Sequence, residues 1–147
     1  MSQALEIFKS SGPEQFSKMV CQMAPYFSTI HPTLTELCPG YASASVPFRL
    51  EITNHLGTIH AIALCNAAEL VAGTMTDVSI PAGARWIPKG MTVEYLAKAK
   101  TDVTAVADGS NLDWSTAGDK IVAVDVIDVD GVKVFTARIT MNVKLTA

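Results

Sequence analysis

Between Ile59 and Met75 the chain carries a run that reads as a helix and is apolar nearly all round, interrupted by Asn66 and Glu69. A helix with no polar face cannot rest on a surface, so protein or lipid must wrap it. Lipid is a poor fit, because the most apolar part, Ala61 to Ala72, is broken by these two residues well before the roughly 20 positions a membrane span needs. The rest of the chain must supply the wrapping.

It does so mainly with strands. From Tyr41, and most clearly over Val46 to Thr53, Val46, Phe48, Leu50 and Ile52 share one face while Arg49, Glu51 and Thr53 share the other. After a turn at Asn54–Thr58 and the helix, Ala82 to Gly90 is a loop rich in Pro and Gly, and Met91, Val93, Tyr95 and Ala97 begin a second strand. Thr101 to Ala107 gives a third and Asp108 to Gly118 a polar turn. Lys120 to Val129 and Lys133 to Leu145, joined at Asp130-Gly131, form a long antiparallel hairpin. Upstream, Phe16, Met19, Val20 and Met23 mark an amphipathic helix over Pro13 to Met23, and Thr29 to Gly40 reads as a loop with one short helical turn.

This order of helix, strand, very apolar helix and four strands has no alternating βαβ pattern. The expectation is an α+β fold in which a curled antiparallel sheet wraps one long apolar helix. The whole chain, residues 1–147, is expected to be one domain, with 1–40 an N-terminal helical extension and loop and 41–147 the core. At 147 residues it has room for a single core. Charged residues make up only 17% against 49% hydrophobic, which points to an apolar face buried against a second copy, as do the sheet's open edges.

A net charge of −3 without a Lys/Arg cluster argues against nucleic acid and anionic membrane as partners. Cys21, Cys38 and Cys65 are odd in number and widely spaced, which suits neither a disulfide framework nor a zinc site and places the chain in a reducing cytoplasm. Met1 to Ser11 has no signal-peptide pattern. His55 and His60 lack an acid or Cys at ligand spacing, so no metal is expected. Cys65, inside an apolar helix, reads as an inert core thiol.

The stretch Asn54-His55-Leu56-Gly57-Thr58-Ile59-His60-Ala61, followed by Ala68-Glu69, resembles the signature of hotdog-fold acyl-CoA thioesterases of the phenylacetate-pathway (PaaI-like) type. That pattern is Asn-x-x-Gly-Thr-x-His-Gly-Gly with an acid two turns into the helix. The resemblance implies a hotdog fold and hydrolysis of an acyl-CoA thioester. The N–H of Ala61 would hold the thioester oxygen, Glu69 would be nucleophile or general base, Asn54 would position the attacking group, and His60 would orient the loop or thioester. Each role is physically reasonable: a helix N-terminus offers free N–H groups where oxyanion charge develops, and a carboxylate can take a proton from water. Burial among apolar neighbours would favour the neutral form of Glu69.

Plainer roles compete. Glu69 could reach a wet edge or pair with Arg85 or a Lys, Asn54 could cap its turn, and His60 could be a satisfied core histidine. Gly57 and Thr58 read as a turn and a helix N-cap beside the bound substrate. Arg85 and Lys89, with Lys98 and Lys100, are the cations available for CoA phosphates; CoA enters as part of the substrate, and no separate cofactor is expected.

Ala61 and Glu69 are eight residues apart, so their backbones lie about 12 Å apart along one helix. They cannot flank one carbonyl, and if both act, Ala61 of one subunit must meet Glu69 of another. A homodimer, with a dimer of dimers left open, becomes a condition of the chemistry. The chain departs from the pattern at Ala61-Ile62, where two glycines are usual, and at Pro88, where many relatives carry a hydroxyl. Those departures keep open an acyl-CoA-binding or scaffold protein without turnover; a hotdog hydratase or dehydratase using His55 and Glu69 is a further rival, ranked lower because the chain lacks that branch's Pro-Gly helix start.

Overall fold

The computed structural model describes residues 2–146; Met1 and Ala147, the ends of the expected domain, lie outside it. Three α-helices, α1 (Gln3–Ser11), α2 (Pro13–Met23) and α3 (Ala61–Ser79), accompany six strands: β1 (Thr33–Cys38), β2 (Tyr41–Val46), β3 (Arg85–Tyr95), β4 (Val103–Asp108), β5 (Gly118–Asp128) and β6 (Lys133–Lys144). The strands form one antiparallel sheet in the order β1-β2-β4-β5-β6-β3, and α3 packs against all six. This is the expected hotdog architecture.

Eleven of the 19 residues of α3 are buried. Ala67, Ala68 and Ala72 let the sheet approach the helix axis closely, while Leu70, Val71 and Met75 fill the space above them. By length and composition alone α3 could cross a membrane, contrary to the expectation that Asn66 and Glu69 break the run too early. The sheet wraps it instead. Asn66 is buried because its amide donates to the Tyr26 carbonyl (3.4 Å) and Thr29 Oγ1 (3.2 Å), tying α3 to a 3-10 turn over Pro25–Ile30. Helix α3 stops before Pro81, whose missing N–H and ring forbid another turn.

Four expectations are corrected. Thr29 to Gly40 is no loop: it holds the end of the 3-10 turn and β1, whose hairpin with β2 turns at Pro39-Gly40. The sheet thus starts at Thr33, inside the presumed extension. The Val46 to Thr53 alternation does not form a strand either, because Pro47 has no N–H for the ladder; β2 ends at Val46 and Leu50–Ile52 is a 3-10 turn. Strand β3 begins at Arg85 rather than Met91, accommodating Pro88 beside a register shift between Pro88 and Gly90 on an edge strand. Finally, Gln3–Ser11 is helical, so two N-terminal helices precede the sheet where one was expected.

The two sheet edges differ. On β1 the Leu34 N–H donates to the Ser17 hydroxyl of α2 (2.8 Å), and Ser17 in turn donates to the Pro13 carbonyl (2.6 Å), so α2 blunts that edge. Among the described residues strand β3 pairs only with β6, and its other edge is unpaired over eleven residues, with Ile87 and Tyr95 each 60% exposed.

Gly40 holds φ +83° in the β1–β2 turn, and a Cβ there would meet the Ser110 backbone at 3.0 Å. Gly40→Ala is expected to lower unfolding stability by about 1–3 kcal/mol in a urea titration, from positive-φ strain and the close approach together.

Candidate active site

The segment leading into α3 is a self-contained loop. Asn54 Oδ1 accepts from the N–H groups of Leu56 (2.9 Å) and Thr58 (3.2 Å), Asn54 Nδ2 donates to Thr58 Oγ1 (3.0 Å), and the Asn54 N–H donates to the Thr58 carbonyl (2.9 Å). Gly57 turns the chain at φ +75°, where a side chain would be strained whatever the space. Two backbone bonds then fix the loop: the Ile59 N–H donates to the Ala99 carbonyl and the His60 N–H to the Ile52 carbonyl, both at 2.8 Å.

His60, not Thr58, is the N-cap of α3. Its Nδ1 accepts from the Ile62 N–H (3.1 Å), and its carbonyl accepts from Ala63 and Leu64. Thr58 is buried and bonded to Asn54, and His60 is exposed, so the readings of Thr58 as cap and His60 as a core histidine are both corrected. With Ile62, Ala63 and Leu64 satisfied, the Ala61 N–H is the first-turn donor of α3 that has no partner among the described residues. Ala61 lines a cleft of about 350 Å³ whose walls also include Asn54, Leu64, Tyr95 and Lys98.

Glu69 sits elsewhere. It lines a separate apolar cavity of about 410 Å³ between α3, the N-terminal helices and the start of β3, with Phe16, Val20, Trp86 and Pro88 among the walls. Glu69 is half-buried and, among the described residues, forms no ion pair with Arg85, a Lys or any other cation. One chain therefore keeps Ala61 and Glu69 in different clefts, as their spacing on α3 requires.

The predicted cations scatter. Lys89 pairs with Asp119 (3.2 Å), which also accepts from Asn142 (2.8 Å), on the sheet face away from α3. Arg85 is exposed at the start of β3, and Lys98 lies beside the Ala61 cleft. The Cys65 thiol is half-buried; burial pushes its pKa up, against the opposing contact with the Tyr95 hydroxyl, which leaves it a poor nucleophile. Among the described residues no His/Cys/Asp/Glu cluster could hold a metal ion.

Trp86 was not foreseen as a wall. Its Nε1 donates to Asp77 Oδ1 (3.0 Å), and its ring lies flush on α3 because residue 73 is glycine: a Cβ there would meet the indole at 2.9 Å. The readable signal was that glycine, a lone Gly inside a strong helical pattern, which commonly marks close packing.

A family model described as a domain of unknown function (DUF4442) matches residues 12–143. The chain belongs to the DUF4442 family. Among solved structures, this DUF4442 chain is similar to a structural-genomics crystal structure at 58% identity, with a TM-score of 0.90 over 98% of this chain and 97% of the other. It is similar to a thioesterase from Haemophilus influenzae at 14% identity (TM-score 0.76, covering 87% and 90%). It is also similar to a Pseudomonas aeruginosa protein described as a probable thioesterase, at 20% identity (TM-score 0.77, covering 87% and 92%). The last two likenesses establish the fold alone. No curated protein matches the chain.

The Asn54 amide organises the loop that presents Ala61, so Asn54→Ala is expected to cost about 1–3 kcal/mol of stability from unpaired loop N–H groups. Thermal unfolding in parallel with Asn54→Asp, which keeps the acceptor, checks this: the Asp variant should retain most of the stability.

Proposed function

We propose that the protein hydrolyses acyl-CoA thioesters to the free acid and CoA at a site completed by two copies of the chain. The observation that supports this most is the pair of unengaged groups on α3: the partnerless Ala61 N–H at its start and the unpaired Glu69 carboxylate two turns on. They match the two positions that the thioesterase motif makes functional, and the thioesterase descriptions of structural neighbours agree with the class of reaction.

In this reading Glu69 takes a proton from water, whose oxygen adds to the thioester carbon. The Ala61 N–H and the positive end of α3 hold the oxyanion. Collapse breaks the C–S bond, and the CoA thiolate leaves and regains a proton. His60 holds the helix start, Asn54 and Gly57 shape the loop, and buried Thr58 supports it rather than touching substrate. Lys98, which lines the Ala61 cleft, and the exposed Lys100 two residues on serve the CoA phosphates better than Lys89, which Asp119 occupies. Arg85, exposed on β3, remains available to a phosphate across the interface.

The roughly 12 Å between Ala61 and Glu69 along one helix requires the second copy. The unpaired edge of β3 is the natural seam, since Trp86 and Pro88 of that strand also line the Glu69 cavity. Pairing there seats the partner's Ala61 loop over the Glu69 cavity and makes two equivalent sites per dimer. Three free cysteines suit a reducing cytoplasm as the place of action.

Release of free CoA thiol from a panel of acyl-CoAs tests the chemistry. Glu69→Gln is expected to reduce kcat by about 10²-fold or more. Ala61→Pro removes only the N–H, because Pro fits a first helical position and the preceding His60 is already extended (φ −61°, ψ 136°); it is expected to cost about 10²–10³-fold. Undiminished turnover in either folded variant would remove that group from the mechanism.

A further inference from the structure

We infer that the N-terminal helices, which lie outside the thioesterase motif, build the acyl-chain pocket and select a medium-length straight chain of roughly eight to twelve carbons. The inference rests on the proposed thioesterase reading for the thioester itself, but the pocket stands on its own geometry.

The cavity that holds Glu69 is closed on one side by α3 and Trp86 and on the other by Phe16, Met19 and Val20 of α2 and by Phe27 of the following 3-10 turn. Helix α1 backs this wall: Phe8 packs edge-on against Phe16 with ring centroids 5.4 Å apart. These surfaces are almost wholly apolar; of the two carboxylates among them, Asp77 accepts from Trp86 Nε1 (3.0 Å), and Glu69, without a partner among the described residues, matches the reacting end of a thioester. An alkyl chain entering past Glu69 would gain its contact energy from α2, not from the sheet.

Size sets the chain length. At roughly 30 Å³ per water-sized group, a share that already includes the space between groups, a cavity of about 410 Å³ holds on the order of a dozen non-hydrogen atoms. Val20 and Trp86 face the same space from opposite walls, so enlarging one residue and truncating the other should move the limit in opposite directions. Met19 and Met23 add walls that adapt to the chain without imposing a rigid aromatic slot, which favours a straight acyl chain over a ring.

The test pairs a binding measurement with a kinetic one on the full-length protein and on Val20→Trp and Trp86→Ala. Displacement of an apolar fluorescent dye by hexanol, decanol and tetradecanol reads the cavity without hydrolysis, and kcat/KM for hexanoyl-, decanoyl- and tetradecanoyl-CoA reads the site. Wild type is expected to gain affinity from hexanol to decanol and little beyond. Val20→Trp should erase the decanol gain, by about tenfold or more, and Trp86→Ala should extend it to tetradecanol. Thioester selectivity should follow the same pattern.

Alkanol binding with this profile but no thiol release would sustain the pocket and end the thioesterase reading. Thiol release whose chain-length profile is the same in wild type and both variants would overturn the pocket. Should Val20→Trp unfold, as circular dichroism would show, the predicted shift to longer chains in Trp86→Ala decides the matter alone.

Discussion

The fold depends on the burial of one helix. Most of helix α3 is buried, and every strand contributes to covering it, so the curl of the sheet, the placement of the N-terminal helices and the two clefts all follow from how α3 is wrapped. Its small residues decide the closeness of that wrapping. Ala67, Ala68 and Ala72 bring the sheet in, while Gly73 lets the Trp86 ring lie against the helix where any side chain would displace it. Among the groups on α3 that the wrapping leaves without a partner in the described residues are an N–H at the helix start, on Ala61, and the half-buried carboxylate of Glu69.

The same packing makes the two ends of the sheet unequal. Helix α2 reaches β1 through the buried Ser17, whose hydroxyl takes up an outward N–H of the strand, and so uses hydrogen bonding to protect one edge. Among the described residues, no comparable hydrogen bond from another element takes up the outer edge of β3. An eleven-residue edge with exposed Ile87 and Tyr95 is a template for a second copy, and it borders the cavity where Glu69 waits. Assembly and chemistry converge on that strand in the proposed mechanism, which is why the distance between two residues of one helix carries so much of the argument.

The sequence was most informative where periodicity and helix signals were strong. Helix α2 falls where Phe16, Met19, Val20 and Met23 placed it, and the β5–β6 hairpin turns at the Asp130-Gly131 signal, with Gly131 at φ +79°. It was least informative where tertiary contacts override local pattern. The alternation from Val46 to Thr53 looks like a strand, yet Pro47 cannot join a ladder, while β1 is stabilised by a serine from a distant helix and by a Pro-Gly turn that locally reads as loop. At the candidate site, the turn expected at Asn54–Thr58 is present, but the cap on α3 belongs to exposed His60, and Lys89, expected as a cation for phosphate, is engaged by Asp119. The Glu69 cavity could not be read in advance, because its walls come from α1, α2, α3 and β3 and exist only once these elements meet.

The central claim is that one active site draws Ala61 from one chain and Glu69 from another. Co-refolding Ala61→Pro chains with Glu69→Gln chains tests it directly, because each heterodimer would then contain one site with both native groups and one with neither. Thiol release should recover to about a quarter of the wild-type rate in a random mixture, although each variant alone is nearly inactive. Activity in the mixture no higher than the mean of the two separate variants, with heterodimers confirmed by native mass spectrometry, would contradict the shared site.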